Sequence, residues 1–206
     1  MRYFIILILV LFLLLCGVVS SSSEDLVDVS HTFRISAFGG AAHGCAVNGM
    51  TLTNRHVVDK RNSVLEPLAL FKFRYDFFKN ANRRGVGQSL LVSPFSDLAT
   101  VKLDQAPPFG FAKLGPEPKV GDRIRWVEYD FRTDKNAYKP RGRSGKVISV
   151  FAGQIVLKTE AIEGASGGCA YNDENEVVGL MSYKREMEDD NWVTVVVGFY
   201  GEWWAR

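Results

Sequence analysis

The sequence predicts an all-β fold of two six-stranded antiparallel β-barrels. Apolar residues recur in short runs rich in β-branched and aromatic side chains, and Gly, Pro, Asn and Asp separate these runs. Long helical periodicity is scarce. The runs form two groups of six on either side of a proline-rich segment, residues 104–120. Short strands without long intervening helices favour two small barrels over a parallel α/β sheet.

Six strands are predicted for each barrel. Those of the first barrel cover residues 32–38, 44–47, 50–53, 65–75, 88–92 and 98–103. Those of the second barrel cover residues 123–129, 145–151, 154–159, 168–171, 176–183 and 192–199. Asn48-Gly49 favours a tight hairpin turn because both residues tolerate positive φ.

The proline-rich segment predicts the boundary between the barrels. Proline removes backbone donors and stiffens the chain, so such a segment suits an exposed connector. We expect barrel 1 within about 31–104, the linker within about 105–120 and barrel 2 within about 121–200.

The first 23 residues resemble an export signal. Arg2 precedes an uncharged, almost wholly apolar run, residues 4–19, and a small polar segment follows. The run is shorter than the roughly 20 residues that span a bilayer comfortably. This length favours a cleaved signal peptide over a retained signal anchor, and both remain open. We expect a secreted, periplasmic or lumenal protein, in contact with a membrane only if residues 4–19 are kept.

Charge and residue counts exclude several classes of function. There are 25 Lys and Arg residues against 23 Asp and Glu residues, so nothing global demands nucleic acid. The basic run 139–146 and Arg83-Arg84 lack aromatic interleaving, and we interpret them as solvated loops. Three histidines without a paired Cys-x-x-Cys or His-Glu-x-x-His motif predict no metal and no cofactor. Cys45 and Cys169 form either one disulfide or two buried thiols.

A serine set among glycines, in Gly164-Ala165-Ser166-Gly167-Gly168, indicates nucleophilic catalysis. A serine hydroxyl becomes nucleophilic when an imidazole takes its proton and a carboxylate orients that imidazole. The Gly-x-Ser-x-Gly pattern alone also fits α/β-hydrolases, in which the histidine follows the serine. Here His31, His43 and His56 all precede Ser166, so that fold is excluded.

His56 and Asp97 complete a candidate catalytic triad. His56 ends an apolar run, at the start of a possible helical turn, and Asp97 stands at the mouth of a predicted strand. The order His, Asp, Ser is one of three known orders for this triad and is the order of the chymotrypsin-type double barrel.

Three blocks around these residues resemble those of trypsin-like serine peptidases of the chymotrypsin fold. The blocks read Leu-Thr-Asn-Arg-His-Val-Val, Asp-Leu-Ala-Thr-Val-Lys-Leu and Gly-Ala-Ser-Gly-Gly. They are most similar to minimal bacterial, viral and HtrA-like branches, here without a PDZ-like module. The resemblance covers most of residues 31–200. It implies a peptidase domain over residues 24–206, an active site between the barrels, and a protein or peptide substrate.

The resemblance also implies a role for each residue of the triad. Ser166 would attack the scissile carbonyl, His56 would act as general base and then general acid, and Asp97 would orient the imidazole. The backbone N–H groups of Gly164 and Ser166 would form the oxyanion hole.

Three further residues are substrate-binding or supporting candidates. Ser182 matches a family position that supports the catalytic Asp, although an ordinary strand serine is an equal alternative. It begins, with Tyr183, the strand on which substrate would lie. Glu160 stands six residues before Ser166, where trypsin-like enzymes carry an acid that recognises Lys or Arg. It also resembles a strand end at which the acid does not line the pocket, and we favour this second interpretation.

Ala165 departs from the digestive and clotting relatives. Those enzymes carry an Asp at this position, which pairs with a newly cleaved N-terminus. Activation by that ion pair is impossible here, so the enzyme should be competent once folded or be ordered by substrate or a partner. Two alternatives to an exported endopeptidase remain: a catalytically silent binding module, and a membrane-anchored processing or quality-control protease.

Overall fold

The computed structural model describes residues 31–37, 40–59, 72–77, 80–129, 140–187 and 192–200. The expected export signal lies outside these residues, as does part of the strand predicted at 65–75. In the described part of the chain, no helix is long and apolar enough to cross a membrane.

The first barrel contains six antiparallel strands and closes on itself. Its neighbouring strands follow the order β1-β2-β3-β6-β5-β4, and β1 also pairs with β4. One helical turn, α1 (Arg55–Val58), follows β3. The strands are β1 (Thr32–Ala37), β2 (Gly40–Val47), β3 (Met50–Thr53), β4 (Lys72–Phe77), β5 (Asn80–Val92) and β6 (Ala99–Leu103).

The second barrel has the same number of strands and is also closed. Its order is β10-β11-β12-β9-β8-β7, and β10 pairs with β7. The strands are β7 (Arg123–Tyr129), β8 (Pro140–Phe151), β9 (Gln154–Leu157), β10 (Cys169–Tyr171), β11 (Val177–Glu186) and β12 (Trp192–Gly198). The predicted fold class is therefore confirmed.

The interpretation of the two basic segments as loops is wrong. Residues 140–146 form the first half of β8 and pair with β7 in continuous register, and Arg83-Arg84 lies within β5. Along β8, Arg141 and Arg143 are exposed while Gly142 between them is buried. A strand of a barrel can carry charges on its outer face, so basic residues at alternate positions are compatible with a paired backbone.

A shared hydrophobic core joins the two barrels. Leu52 and Leu98 of the first barrel belong to one buried cluster with Tyr171, Leu180 and Phe199 of the second. Each of these five side chains is at most 2% exposed. Full burial of such a side chain stabilises a fold by about 2 kcal/mol, so the barrels form one unit through this cluster.

A disulfide crosses the same interface. Cys45 on β2 is bonded to Cys169 on β10, with the two Cα atoms 5.1 Å apart and 124 residues between them in sequence. Both side chains are buried. Of the two alternatives that the sequence left open, the structure contains the bridge.

We expect the double variant Cys45→Ala/Cys169→Ala to be less stable than the oxidised protein by about 4 kcal/mol. A bridge that closes a loop of this length restricts the unfolded chain by roughly that free energy. Urea denaturation followed by tryptophan fluorescence measures the difference. Reductant should lower the midpoint of the wild type and leave that of the variant unchanged; equal midpoints under both conditions would contradict the expectation.

Candidate active site

The α1 turn presents His56 at the edge of the first barrel. The side-chain amide of Asn54 and the backbone N–H of Arg55 both donate to the backbone carbonyl of Asp97, over 3.0 and 3.2 Å. Val57 and Val58 anchor the other side of the turn in the barrel core. The histidine turn and the aspartate loop are thus fixed to each other through the backbone.

The carboxylate of Asp97 receives three hydrogen bonds. Its Oδ1 accepts from the backbone N–H of His56 over 3.0 Å, and its Oδ2 lies 2.8 Å from His56 Nδ1. Ser182 of the second barrel donates to Oδ2 over 2.6 Å. Burial alone would raise the pKa of Asp97, but the hydrogen bonds and charge of His56, together with Ser182, hold it below its usual value. The carboxylate therefore stays ionised and fixes the imidazole with Nε2 directed away from it.

A serine turn holds the loop that precedes Asp97. The hydroxyl of Ser93 accepts from the backbone N–H groups of Phe95 and Ser96, over 3.2 and 3.1 Å. The N–H of Ser93 donates to the carbonyl of Leu98 over 2.9 Å. This turn leaves the Phe95 side chain 94% exposed beside the cleft.

The loop that carries Ser166 is pinned to both barrels. The backbone carbonyl of Ser166 accepts a hydrogen bond from the backbone N–H of His43 on β2 over 2.8 Å. Gly167 N–H donates to Met181 on β11 over 2.7 Å, and Met181 N–H donates back to Gly168 over 2.9 Å. The loop is therefore positioned by strands from both sides of the interface.

Two glycines allow this loop its shape. Gly164 and Gly167 have φ angles of 94° and 85°, in the region that favours glycine. A Cβ atom on Gly167 would collide with the carbonyl of His43 and the hydroxyl of Thr53. Within the described chain, the N–H groups of Gly164 and Ser166 make no backbone hydrogen bond, so both can serve an oxyanion.

The Ser166 hydroxyl donates to the backbone carbonyl of Ser182 over 2.6 Å. Ser166 and His56 nevertheless line the same two cavities, of about 340 and 200 Å³. A rotation about the Cα–Cβ bond of Ser166 is therefore needed to turn the hydroxyl from this carbonyl toward the imidazole. Hydrogen bonds between a catalytic serine and its histidine are often long or misaligned without substrate and tighten only when substrate binds.

His56 stands where three cavities meet. The largest, of about 750 Å³, extends past Asp97 between Phe95 and Tyr183. The cavity of about 340 Å³ lies beside Ser166 and is also lined by Tyr183, whereas that of about 200 Å³ is lined by Ser166 and by residues 40–42. Each of the three is lined by residues of both barrels, so together they open along the interface.

The structure places Glu160 away from the lining of the cavity beside Ser166. Its carboxylate is 51% exposed and pairs with Lys184 Nζ over 2.8 Å. Tyr183 lines two of the cavities and is 45% exposed. Ser182 contacts both Asp97 and Ser166, as described above.

Sequence reasoning missed Glu128, a buried acid that shapes the cleft wall. One carboxylate oxygen accepts from Trp126 Nε1 over 2.9 Å and from the backbone N–H of Ile162 over 3.1 Å. The other accepts from Arg143 Nε over 3.1 Å. Ile162 lines the cavity beside Ser166, so this acid fixes the wall of that cavity. Nothing in the sequence distinguishes it from a surface glutamate.

His43 is a second residue that sequence reasoning left without a role. The ring is completely buried, beside the backbone carbonyls of Gly164 and Ala165. Burial lowers its pKa to about 4, against the opposing effect of these carbonyls. The neutral imidazole of His43 therefore lies against the backbone of the loop that carries Ser166.

Two six-stranded barrels, with a His-Asp pair facing a glycine-bounded serine across their cleft, define a chymotrypsin-like serine peptidase. The family described as the trypsin-like peptidase domain matches residues 42–180. The chain belongs to this family, and it is by that membership a serine-type endopeptidase.

Solved structures similar to this chain have the same fold. The MamO protease domain of Magnetospirillum magneticum is 17% identical, with a TM-score of 0.64 over 85% of this chain and 94% of that one. A serine endoprotease from Yersinia pestis is 15% identical, with a TM-score of 0.63 over 86% of this chain and 62% of that one. The serine protease of a human pathogenic astrovirus is 13% identical, with a TM-score of 0.61 over 84% and 91%.

We expect His43 alone to lower the free energy of unfolding by about 3 kcal/mol as the pH drops from about 6.5 to about 4. In this window His43 binds a proton in the unfolded chain and stays neutral in the folded one, so stability rises with pH. Chemical denaturation at a series of pH values measures this loss. The variant His43→Asn should lack this part of the dependence, and identical slopes for the two proteins would refute the assignment.

Proposed function

We propose that this protein is an exported endopeptidase that cleaves peptide bonds through His56, Asp97 and Ser166. The observation that carries the proposal is the contact of 2.8 Å between His56 Nδ1 and Asp97, on an imidazole that shares two cavities with Ser166. A carboxylate at Nδ1 leaves Nε2 to take the proton of the nucleophile.

The chemistry follows from these positions. Ser166 Oγ turns from the Ser182 carbonyl, gives its proton to His56 Nε2 and forms a bond to the scissile carbonyl carbon. His56 then returns that proton to the departing amine as the C–N bond breaks, which leaves an acyl-enzyme. A water molecule, deprotonated by the same imidazole, releases the acid and restores Ser166.

The negative charge of each tetrahedral intermediate needs donors that are already in place. The N–H groups of Gly164 and Ser166 fit this role because the turn around them uses other backbone groups for its own hydrogen bonds. One such donor typically contributes about 3 kcal/mol to the transition state.

Competence without proteolytic activation is part of the proposal. Ala165 is 4% exposed and packs within the core of the second barrel, so the turn has no charge that would await a partner. The backbone hydrogen bonds that His43 donates to Ser166 and that Gly167 donates to Met181 support a turn that folding alone sets.

Two observations support export. Residues 1–23 resemble a signal, and the bond between Cys45 and Cys169 is of the kind that persists in oxidising compartments. The proposal is that the barrels act outside the cytoplasm, in the secreted, periplasmic or lumenal space.

A fluorophosphonate probe should label Ser166 in protein purified without any proteolytic step. Labelling should depend on His56, because its imidazole takes the proton of the hydroxyl. Mass spectrometry of the labelled peptide identifies the site, and Ser166→Ala is the unreactive control. A folded wild-type protein that stays unlabelled from pH 5 to pH 9 would favour a binding role and would sink the enzymatic proposal.

The variant Ser182→Ala should lower kcat about tenfold, with a smaller effect on KM. Loss of the 2.6 Å hydrogen bond removes one stabilising donor from the Asp97 carboxylate, at a cost of roughly 1.5 kcal/mol. Steady-state kinetics on one peptide substrate measures both constants. Ser149→Ala, at an exposed serine of β8, is the matched control. Equal kcat values for the two variants would remove Ser182 from the catalytic arrangement.

A further inference from the structure

The cavity of about 340 Å³ beside Ser166 decides which substrate residue can precede the cleaved bond, if Ser166 acts as proposed above. Gly164 and Ser166, whose N–H groups would hold the oxyanion, form part of its lining. The same two residues also line the cavity of about 200 Å³, and we assign the side chain of an acyl group on Ser166 to the larger cavity because buried apolar residues line it. The side chains of the lining determine what is accepted.

The deep part of this cavity offers apolar contact. Ala161, Ala165 and Met181 are each at most 6% exposed and belong to one buried cluster of the second barrel. Ile162 extends this apolar lining on the wall that Glu128 holds in place.

Thr194 also lines this cavity, and its hydroxyl already has hydrogen-bond partners within the protein. The hydroxyl of Thr194 accepts from the backbone N–H of Ala161 and donates to the carbonyl of Thr159, both over 2.9 Å. Its donor is used within the protein, and the carboxylate that the described lining contains, that of Glu163, is exposed to solvent rather than buried with this hydroxyl. A charged substrate side chain would lose its hydration here without a buried partner of opposite charge, which is unfavourable.

The charges at the edge of the cavity cancel each other. Lys184 lines the cavity, but its ammonium is 2.8 Å from Glu160 and lies over the ring of Trp192, 4.6 Å from the centroid. Glu160 is thereby held outside the lining. Glu163, which does line the cavity, is exposed to solvent.

We propose that this cavity selects an uncharged, apolar side chain before the cleaved bond, and that the Glu160–Lys184 pair excludes charged side chains of either sign. Because Lys184 and Glu160 are paired with each other, neither offers a free counter-ion to a charged substrate side chain of either sign. The selectivity is therefore set by an ion pair at the rim as well as by the apolar floor.

The first test compares peptidyl phosphonates that differ only in the side chain next to phosphorus: leucine-like, lysine-like and glutamate-like. The leucine-like probe should label Ser166 about a hundredfold faster than either charged probe. A lysine-like or glutamate-like probe that reacts as fast as the leucine-like probe would overturn the inference. A small fluorophosphonate without such a side chain reports the reactivity of Ser166 separately, so failure of the chemistry and failure of the selectivity are distinguishable.

A binding measurement keeps the inference testable if Ser166 proves unreactive. Acetylated tripeptides ending in leucine, lysine or glutamate resemble the acid product and can be titrated into the Ser166→Ala variant by NMR. Shifts of the Gly164 and Thr194 amide resonances should report at least tenfold tighter binding of the leucine peptide. Equal affinities for the three peptides would overturn the inference whatever the catalytic result.

Variants of the ion pair test its part in the selection. Glu160→Ala leaves the Lys184 ammonium unpaired, so labelling by the glutamate-like probe should rise about tenfold. Lys184→Ala leaves the Glu160 carboxylate unpaired and should raise labelling by the lysine-like probe by a similar factor. Glu174→Ala, at an exposed acid of the hairpin between β10 and β11, should change neither rate. Unchanged ratios in all three variants would contradict the role of the pair.

Discussion

Docking of the two barrels is the constraint on which the rest of the structure depends. Neither barrel contains the site: His56 and Asp97 belong to the first and Ser166 to the second. The 2.6 Å hydrogen bond from Ser182 to Asp97 and the 2.8 Å bond from His43 to Ser166 both cross the interface. A small displacement of one barrel would therefore break the geometry of the proposed triad before it disturbed either barrel.

Different kinds of interaction secure this docking. The shared core that includes Leu52 and Phe199 supplies non-directional burial, whereas the disulfide between Cys45 and Cys169 fixes the relative position of β2 and β10. The buried ring of His43 then supports the serine loop from the first barrel. Stability and reactivity are coupled because the interface that holds the fold together also aligns the reacting groups.

The sequence predicts a feature well when residues close together in the chain determine it, and poorly when distant residues do. Strands such as β3 and β7 have the predicted bounds, because their apolar alternation is visible in the chain. The first half of β8 was missed because its outward arginines hide the pairing of its backbone. Glu128 lies far along the chain from the Ile162 amide that it binds, so no local pattern reveals it. The outward position of Glu160 likewise depends on Lys184.

The central claim is that docking aligns a triad with its oxyanion donors already in position. A crystal structure of the protein reacted with a peptide boronate ending in leucine tests this most directly. The account predicts a bond from Ser166 Oγ to boron, one boronate oxygen within 2.7–3.1 Å of the amide nitrogens of Gly164 and Ser166, and His56 Nε2 facing the other oxygen. A boronate bound away from Ser166, or an oxygen without contact to these amides, would contradict it.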